Sequence, residues 1–326
     1  MTEQITEQTA EQLSQPAGDP ARRKQKLTKS KASEYFFIFC FTIIPVIHFL
    51  VMYVYVNLNS FVMAFQITEN DTMRWTLEHF SRFWNELRDG GAELNQAFMN
   101  TFKTFGINCV MFVVGVFVSY FLYKKIWGHS VFRVLFFLPS ILSAVVIANV
   151  YKSIISTEAF ETFLQKLCGL DYLPEPLAQI EFANTFVFIH MIWLGFPGNM
   201  VIWSGTFARI PDSVVESAKL DGVNWVQELF LVILPMVWST FGLMLTLTLC
   251  GLFSASGAVF LLTQGNWGTQ TFSNWTYMQV YGSQGSPSNN ALNYLSAVGL
   301  CTTVVATAIA LTTRYVAGKV FEDVTY

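Results

Sequence analysis

Charged residues are scarce in this chain, and a long part of it has none. Asp, Glu, Lys and Arg make up 13% of its 326 residues, against about 25% in an ordinary soluble domain. None of these four residue types occurs between Glu228 and Arg314. Hydrophobic residues make up 53% of the chain and its mean hydropathy is +0.43. Several apolar stretches reach the roughly 20 residues that a helix needs to cross a bilayer. The sequence therefore predicts an all-α polytopic membrane protein.

Signatures of catalysis, redox chemistry and nucleotide binding are missing as well. No pair of cysteines has the spacing of a metal or redox site, and no Gly-x-x-x-x-Gly-Lys-Ser/Thr phosphate loop occurs. No nucleophile lies beside a base in a recognisable arrangement. We therefore expect no catalytic residue, no metal and no cofactor in this chain. If the protein does ATP-driven work, another subunit must supply the energy.

The distribution of Lys and Arg predicts the topology. The basic residues are concentrated in the segments that six spans with both termini inside would leave in the cytoplasm, as the positive-inside rule expects. The predicted spans cover residues 35–56, 98–123, 134–151, 182–207, 234–262 and 292–313.

The segments outside the spans differ in composition. Residues 1–33 contain Thr-Glu-Gln repeats, proline and glycine and end in a basic run, so we predict a disordered cytoplasmic tail. A transmembrane domain is expected over residues 34–318 and a second cytoplasmic tail over residues 319–326. Between the fourth and fifth spans lies a polar cytoplasmic loop, residues 208–233.

The 208–233 loop has the pattern of a short capped helix. Ser213 and Glu216 have the spacing of a capping box, in which each side chain binds a free backbone N–H of the first turn. Gly222 stands where a helix end requires positive φ, and a new helix start follows at Asn224. Spacing alone leaves two interpretations open, a connecting loop or a surface knob for a partner protein.

Ionisable residues are almost absent from the spans. His190 is the exception, and a lone histidine is more often a hydrogen-bonded packing residue than a proton relay. Ion-coupled carriers usually need buried carboxylates or histidines, so their scarcity argues against ion coupling.

Neutral polar groups, in contrast, accompany a predicted helix break at residues 195–198. Trp193 and Asn199 of the fourth span and Ser254 of the fifth would line a path for an uncharged hydroxylated solute such as a sugar. The alternative is that small and hydroxylated residues mediate helix packing.

The cytoplasmic loop is similar to the EAA loop of bacterial ABC importer permeases. The residues that carry this resemblance are Ile210-Pro211, Glu216-Ser217-Ala218, Asp221-Gly222 and Leu234-Pro235, with Ser217 in place of the middle alanine. Further motifs are similar to those of the carbohydrate branch of these permeases, the maltose and glycerol-phosphate type. These motifs are Asn100-Thr101, Phe132-Arg133 with Leu138-Pro139, residues 193–197 and residues 261–265. Asn266-Trp267 stand where that branch has Gly-Pro.

The resemblance implies a type I ABC importer permease fold and a role for the loop. Its helix would be the coupling helix that sits in a cleft of a cytoplasmic ATPase. The implied ATPase-coupling residues are Ser213, Glu216, Ser217, Ala218, Asp221, Gly222 and Pro235. The substrate-pathway residues, from the resemblance and the polar groups together, are Trp193, Gly195, Gly198, Asn199, Gly251 and Ser254.

The resulting hypothesis is a permease subunit of an ATP-driven carbohydrate importer in the bacterial inner membrane. Its partners would be a second homologous permease, an ATPase dimer that holds ATP and Mg²⁺, an external solute-binding protein, the carbohydrate and membrane lipid. The alternatives are a stand-alone facilitator or ion-coupled carrier of a neutral polar solute, and a membrane scaffold without transport activity.

Overall fold

The computed structural model describes residues 20–69, 72–89, 92–168, 175–254, 257–281 and 289–320. The chain divides between Val62 and Met63 into two units. The first contains most of helix α1, which begins at Pro20, passes through a π-helical segment, Phe49–Tyr55, and ends at Ala64. The structure differs here from the predicted disordered tail. Pro20 suits a first helical position, and the Arg, Lys, Gln and Ala residues after it have high helix propensity. Residues 1–19 lie outside the described part.

The second unit opens with a small element that the sequence analysis did not predict. Strands β1 (Gln66–Glu69) and β2 (Thr72–Trp75) form an antiparallel hairpin in which Gln66 pairs with Trp75. Helix α2 (Glu78–Arg88) follows the hairpin. The remaining helices are α3 (Ala92–Tyr123), α4 (His129–Ile141), α5 (Ala144–Ile155), α6 (Glu158–Cys168), α7 (Ile180–Phe207), α8 (Asp212–Leu220), α9 (Trp225–Met236), α10 (Trp238–Cys250), α11 (Gly257–Leu262), α12 (Phe272–Tyr281) and α13 (Asn289–Val320).

Two of the predicted spans are bent rather than straight. The third consists of α4 and α5, whose axes meet at 107°, and the fifth contains α9 and α10, whose axes meet at 86°. In the fifth, Pro235 cannot donate to the carbonyl of Leu231, and its ring crowds that carbonyl. Leu231 lies in a π-helical segment, Glu228–Ile233, and the axis bends at Val237. The predicted fifth span, residues 234–262, is therefore not one helix.

The fourth span is continuous where the sequence predicted a break. Helix α7 runs from Ile180 to Phe207 through residues 195–198. Gly195 serves close packing, because a Cβ placed on it would lie 3.2 Å from Cγ of Met111 on α3. Helices α3 and α7 share the most extensive helix contact in the described part of the chain. Because Gly195 has no side chain, α3 and α7 can pack closely at this point. This packing role for a small residue is the alternative that the sequence left open for this region.

Among the residues that the structure describes, four helices are long and apolar enough to cross a membrane, and the number rises to as many as six if each bent pair counts as one span. The four are Ser33–Ala64, Glu93–Tyr123, Ile180–Phe207 and Asn290–Lys319.

In the described part of the second unit, the buried apolar residues form three clusters. The first joins α3, α7, α8 and α9 around Phe112, Trp203 and Phe207. The second surrounds Phe272 and Trp275 of α12, and the third surrounds Tyr151 of α5 and Phe186 of α7. The short helix α8 is thus anchored in the same cluster as three long helices.

Candidate functional site

Helix α8 forms where the sequence predicts a helix, but its N-terminus differs from the prediction. The helix begins at Asp212, Pro211 occupies the N-cap position, and no side chain caps the first turn. The predicted capping box of Ser213 and Glu216 is therefore wrong. Ser213 lies one residue inside the helix, whereas a capping side chain must precede it.

A capping box does form at the next helix start. Oδ1 of Asn224 accepts hydrogen bonds from the backbone N–H groups of Val226 at 3.0 Å and Gln227 at 2.9 Å. Oε1 of Gln227 accepts from the backbone N–H of Asn224 at 3.0 Å. The signal was present in the sequence as Asn-x-x-Gln, which has the same spacing as the Ser-x-x-Glu pattern.

The C-terminus of α8 matches the prediction for Gly222, which has φ of +76°. The N–H of Gly222 donates to Lys219 O at 3.1 Å and that of Val223 to Ala218 O at 3.3 Å. This pair of bonds is the Schellman motif, which satisfies the last helical carbonyls. A Cβ on Gly222 would meet no atom within 4 Å. The requirement for glycine here is therefore conformational and not steric.

The side chains of α8 separate into an inner and an outer face. Val215 and Ala218 are buried within the chain, so the side chain of Ala218 does not face outward. The outer face carries Leu220, which is 88% exposed. Its other members are Ser213, Glu216, Ser217 and Asp221, all exposed. Leu220 is thus the large apolar side chain of an otherwise polar face, and no pattern in the sequence pointed to it.

A buried ion pair ties α9 to the end of α3. Nζ of Lys124 lies 2.7 Å from each carboxylate oxygen of Glu228, whose side chain is 4% exposed. The Tyr120 hydroxyl donates to Trp225 O at 3.3 Å. This pair was not predicted from the sequence. The positions of its members are nevertheless distinctive, because Glu228 is the last charged residue before a long uncharged stretch and Lys124 is the first charged residue after an apolar span.

The packing of α8 connects it to the spans on both sides. Val215 lies in one apolar cluster with Phe207 of α7 and Ile233 of α9. Pro235, the remaining predicted coupling residue, is partly buried in α9, ahead of the bend at Val237. A displacement of α8 would therefore be passed to α7 and α9 directly, because close-packed side chains transmit strain.

The predicted solute-path residues of α7 have two different sets of neighbours. The Trp193 ring stacks on Tyr151 with 6.4 Å between centroids, and His190 lies edge-on to both. Asn199 lies on the side that faces α3, as Gly195 does, since a Cβ on Gly115 would be 3.9 Å from Asn199 Cβ. Gly198 lies within α7.

In the fifth span, Gly251 begins a 3₁₀ turn, and the Ser254 hydroxyl donates back to Gly251 O at 3.1 Å. The solute path through these six residues stays a prediction.

His190 differs from the expectation of a hydrogen-bonded packing residue. Its side chain is 1% exposed, and neither ring nitrogen has a hydrogen-bond partner among the described residues. The Tyr151 hydroxyl, which lies nearby, donates instead to Phe186 O at 2.8 Å.

The long apolar helices, two bent pairs and a short capped helix between α7 and α9 together give the fold of ABC importer permeases. A crystal structure of the bacterial alginate ABC transporter, in complex with an alginate pentasaccharide-bound periplasmic protein, contains a chain with this fold. The TM-score is 0.71 at 17% identity, over 90% of this chain and 99% of that one. Residues 111–322 match the family described as binding-protein-dependent transport system inner membrane component. The chain belongs to this family, and it is a multi-pass protein of the bacterial inner membrane.

Two curated relatives show the range of similarity. The maltose/maltodextrin transport system permease protein MalF of Vibrio cholerae is 29% identical over 197 residues, which is 57% of this chain and 36% of that relative. The arabinooligosaccharides transport system permease protein AraP of Bacillus subtilis is 23% identical over 299 residues, 89% of this chain and 90% of that relative. The match to MalF thus spans about a third of its length. These relatives confirm the resemblance to sugar ABC permeases.

Proposed function

We propose that this protein is the transmembrane permease subunit of an ATP-driven carbohydrate importer. The family membership supports the transport role. The carbohydrate class is supported by the maltodextrin and arabinooligosaccharide permeases that resemble the chain and by the alginate transporter that shares its fold. Aromatic faces and neutral amide or hydroxyl groups, as at Trp193, Asn199 and Ser254, suit an uncharged polyol.

The outer face of α8 is the observation that carries this proposal. A large apolar side chain, Leu220, projects from a helix whose end is fixed by Gly222. Burial of an exposed leucine side chain against a partner protein is favourable by roughly 1.5–3 kcal/mol when the side chain is fully covered. Glu216 and Ser217 flank it with polar groups that hydrogen-bond at the rim of an interface. We infer that this face, on the cytoplasmic side, seats an ATPase subunit.

Energy transfer would follow from the packing of α8. Closure of an ATPase dimer would displace α8 as a rigid body, because its end is fixed by the Schellman motif and its inner face by Val215. The Lys124–Glu228 pair would hold α9 to α3 during this movement. The bend at Val237 then marks where the fifth span changes direction as the protein alternates between inward-facing and outward-facing states.

The partners complete the transport cycle in this proposal. ATP and Mg²⁺ would bind to the ATPase dimer and not to this chain. A second, related permease forms the other half of the pathway. A solute-binding protein docks on the outer loops, as supported by the periplasmic protein in the alginate transporter complex.

The proposal is tested by co-purification and by uptake. We expect an ATPase subunit to co-purify with the wild-type chain in mild detergent. Leu220→Asp places a charge in the docking face, and we expect it to lower both the co-purified ATPase and ATP-dependent carbohydrate uptake at least tenfold. Leu77→Asp is the matched control for ATPase retention, because Leu77 is also exposed but lies before α2, on the outer side, and we expect the wild-type amount of co-purified ATPase.

Two results would contradict the proposal. One is normal ATPase retention and normal uptake in Leu220→Asp at wild-type expression. The other is carbohydrate transport by the purified chain alone in vesicles without ATP, which would support the stand-alone facilitator.

A further inference from the structure

A cavity of about 400 Å³ lies on the inner side of α8, and none of the roles above uses it. Its wall is formed by the end of α3, the start of α4, the end of α7 and the inner face of α8. The charged and imidazole side chains that line it are Lys124, Lys125, His129, Arg133, Lys219 and Asp212. Positive groups therefore outnumber the single carboxylate.

Most of this positive charge is not neutralised by the protein. Lys124 is committed to Glu228. Lys125, Arg133 and Lys219 form no ion pair with any residue that the structure describes. Lys125 also has φ of +53°, a left-handed conformation that is uncommon for residues other than glycine. The backbone thus adopts an unfavourable conformation at a residue whose side chain lines the cavity.

Two serine hydroxyls in the wall lack a hydrogen-bond partner within the described chain. They belong to Ser119 of α3, which is 1% exposed, and Ser204 of α7. Buried hydroxyl groups in folded proteins are nearly always hydrogen-bonded, so each such exception requires an explanation. Serine in a helix commonly donates to a carbonyl of the preceding turn, and these two do not. Their hydroxyls are available to a ligand in the cavity.

The start of α4 adds to the attraction for an anion. Helix α4 has 13 residues, its N-cap residue is Gly128, and no side chain caps its first turn. Free N–H groups at a helix N-terminus favour bound anions. His129, the first residue of α4, lines the same cavity.

We propose that this cavity binds the phosphate group of an anionic ligand. The hydroxyls of Ser119 and Ser204 would donate to phosphate oxygens in the interior. Arg133 and Lys125, both exposed, would pair with the phosphate at the opening, where a guanidinium binds phosphate through two parallel N–H groups.

The source of the phosphate group is either a phospholipid headgroup or free inorganic phosphate. Helix α4, which lines the cavity through His129 and Arg133, also carries exposed apolar side chains, among them Val131, Val134 and Leu135, that an acyl chain would contact. In either case the bound anion would tie α8 to α3 and α4, because Lys219 of α8 shares the cavity with Lys125 and Arg133. The inference rests on the cavity alone and does not depend on the transported solute.

The test uses the full chain purified in neutral detergent and phosphate-free buffer. The midpoint of thermal unfolding is followed during titration with dihexanoyl phosphatidylglycerol and, separately, with sodium phosphate, against sodium chloride of equal ionic strength. We expect a saturable rise in the midpoint with at least one of the two probes. A response to the lipid only identifies a headgroup site, and a response to both identifies a site for the phosphate ion itself.

Variants of the chain distinguish anion binding in this cavity from a general effect of charge screening. The double variant Lys125→Gln/Arg133→Gln should raise the half-saturating concentration at least tenfold, since it removes two charge-assisted hydrogen bonds. Ser119→Ala, which leaves the charge unchanged, should raise it about threefold or more. Arg314→Gln/Lys319→Gln removes the same charge from α13, outside the cavity, and should change it less than twofold. The proposal is overturned if neither probe gives a saturable response, or if both double variants respond as the wild type does.

Discussion

The loop around α8 and the loop between α11 and α12 are held in place by different forces. The first contains charge, and its strongest tie is the buried pair of Lys124 and Glu228. The second, residues 263–271, has no charged residue. The Asn100 amide donates to Gly268 O at 2.8 Å and Gln270 O at 3.0 Å, and the Asn184 amide donates to Gly268 O at 2.9 Å.

Further hydrogen bonds between uncharged groups hold the second loop in place along its length. The N–H of Phe272 donates to the Thr101 hydroxyl at 2.8 Å, and the hydroxyls of Thr263 and Thr269 lie 2.5 Å apart. The first loop, by comparison, leaves one face of α8 exposed and depends on few strong ties. In the proposed transport cycle the first loop would move as one rigid body, whereas the second would hold its shape.

The largest expected effect is loss of the buried ion pair. Lys124→Met leaves the buried Glu228 carboxylate without its positive partner, and removing one member of a buried pair typically costs about 3–5 kcal/mol. We expect a loss of this size in the free energy of unfolding, measured in mixed detergent micelles. The double variant Lys124→Met/Glu228→Leu should recover most of it, because no unpaired charge remains.

The exposed pair of Arg74 and Glu69, whose charged atoms lie 3.0 Å apart, is the control for the ion pair. Arg74→Gln should cost about 0.5 kcal/mol or less, as is usual for surface pairs. Equal losses in Arg74→Gln and Lys124→Met would show that the Lys124–Glu228 pair is no stronger a tie than a surface pair.

A smaller loss is expected from the neutral loop. Asn100→Ala leaves the carbonyl of Gln270 without its donor, which costs about 1–3 kcal/mol for a buried group. Asn184→Ala should cost less, since Gly268 O keeps the bond from Asn100. Amide hydrogen exchange of residues 263–271 should accelerate more in Asn100→Ala. The reverse order would show that Asn184 is the main tie of this loop.

Two glycines give effects of opposite sign. Gly222→Ala forces a side chain into a left-handed conformation, at a cost of about 1–2 kcal/mol. Gly205 lies inside α7, where a Cβ would meet no atom within 4 Å. Gly205→Ala should therefore stabilise the chain by about 0.5–1 kcal/mol. A stability gain in Gly222→Ala would contradict the assigned role of Gly222.

The smallest effect distinguishes the two capping sites. Asn224→Ala should cost about 1 kcal/mol, a typical value for the loss of an N-cap. Ser213→Ala should change the free energy of unfolding by much less, because the Ser213 side chain caps nothing. A larger loss in Ser213→Ala would restore the capping box predicted from the sequence.

The fold class and the position of α8 could be predicted because they follow from local pattern. The length of each apolar stretch indicates a membrane span, and Gly222 ends α8 where a positive φ is needed. The N-cap was misplaced by two residues, at Ser213 instead of Pro211, because Pro211 already supplies a suitable extended backbone conformation before Asp212. Local pattern thus locates a helix better than it locates the first residue.

Features that depend on tertiary contacts could not be predicted from local sequence patterns. The pairing of Lys124 with Glu228 joins residues that are 104 positions apart, and no local spacing indicates it. Gly195 was interpreted as part of a helix break, although its reason is the neighbouring Met111. Both of these depend on a partner on another helix and not on the neighbours in sequence. Where Asn266-Trp267 replace Gly-Pro, Trp267 has φ of +58°, a conformation that proline cannot adopt, so the backbone of this loop could not be predicted from the family pattern.

The outer face of α8 is the proposed seat of an ATPase. A photo-crosslinking residue in place of Leu220, in the complex purified from cells, tests it. We predict a crosslink between position 220 and the ATPase subunit, and none from the same residue at Tyr281, which is also exposed but lies at the end of α12. An ATPase that co-purifies but gives no crosslink from position 220 would contradict the account.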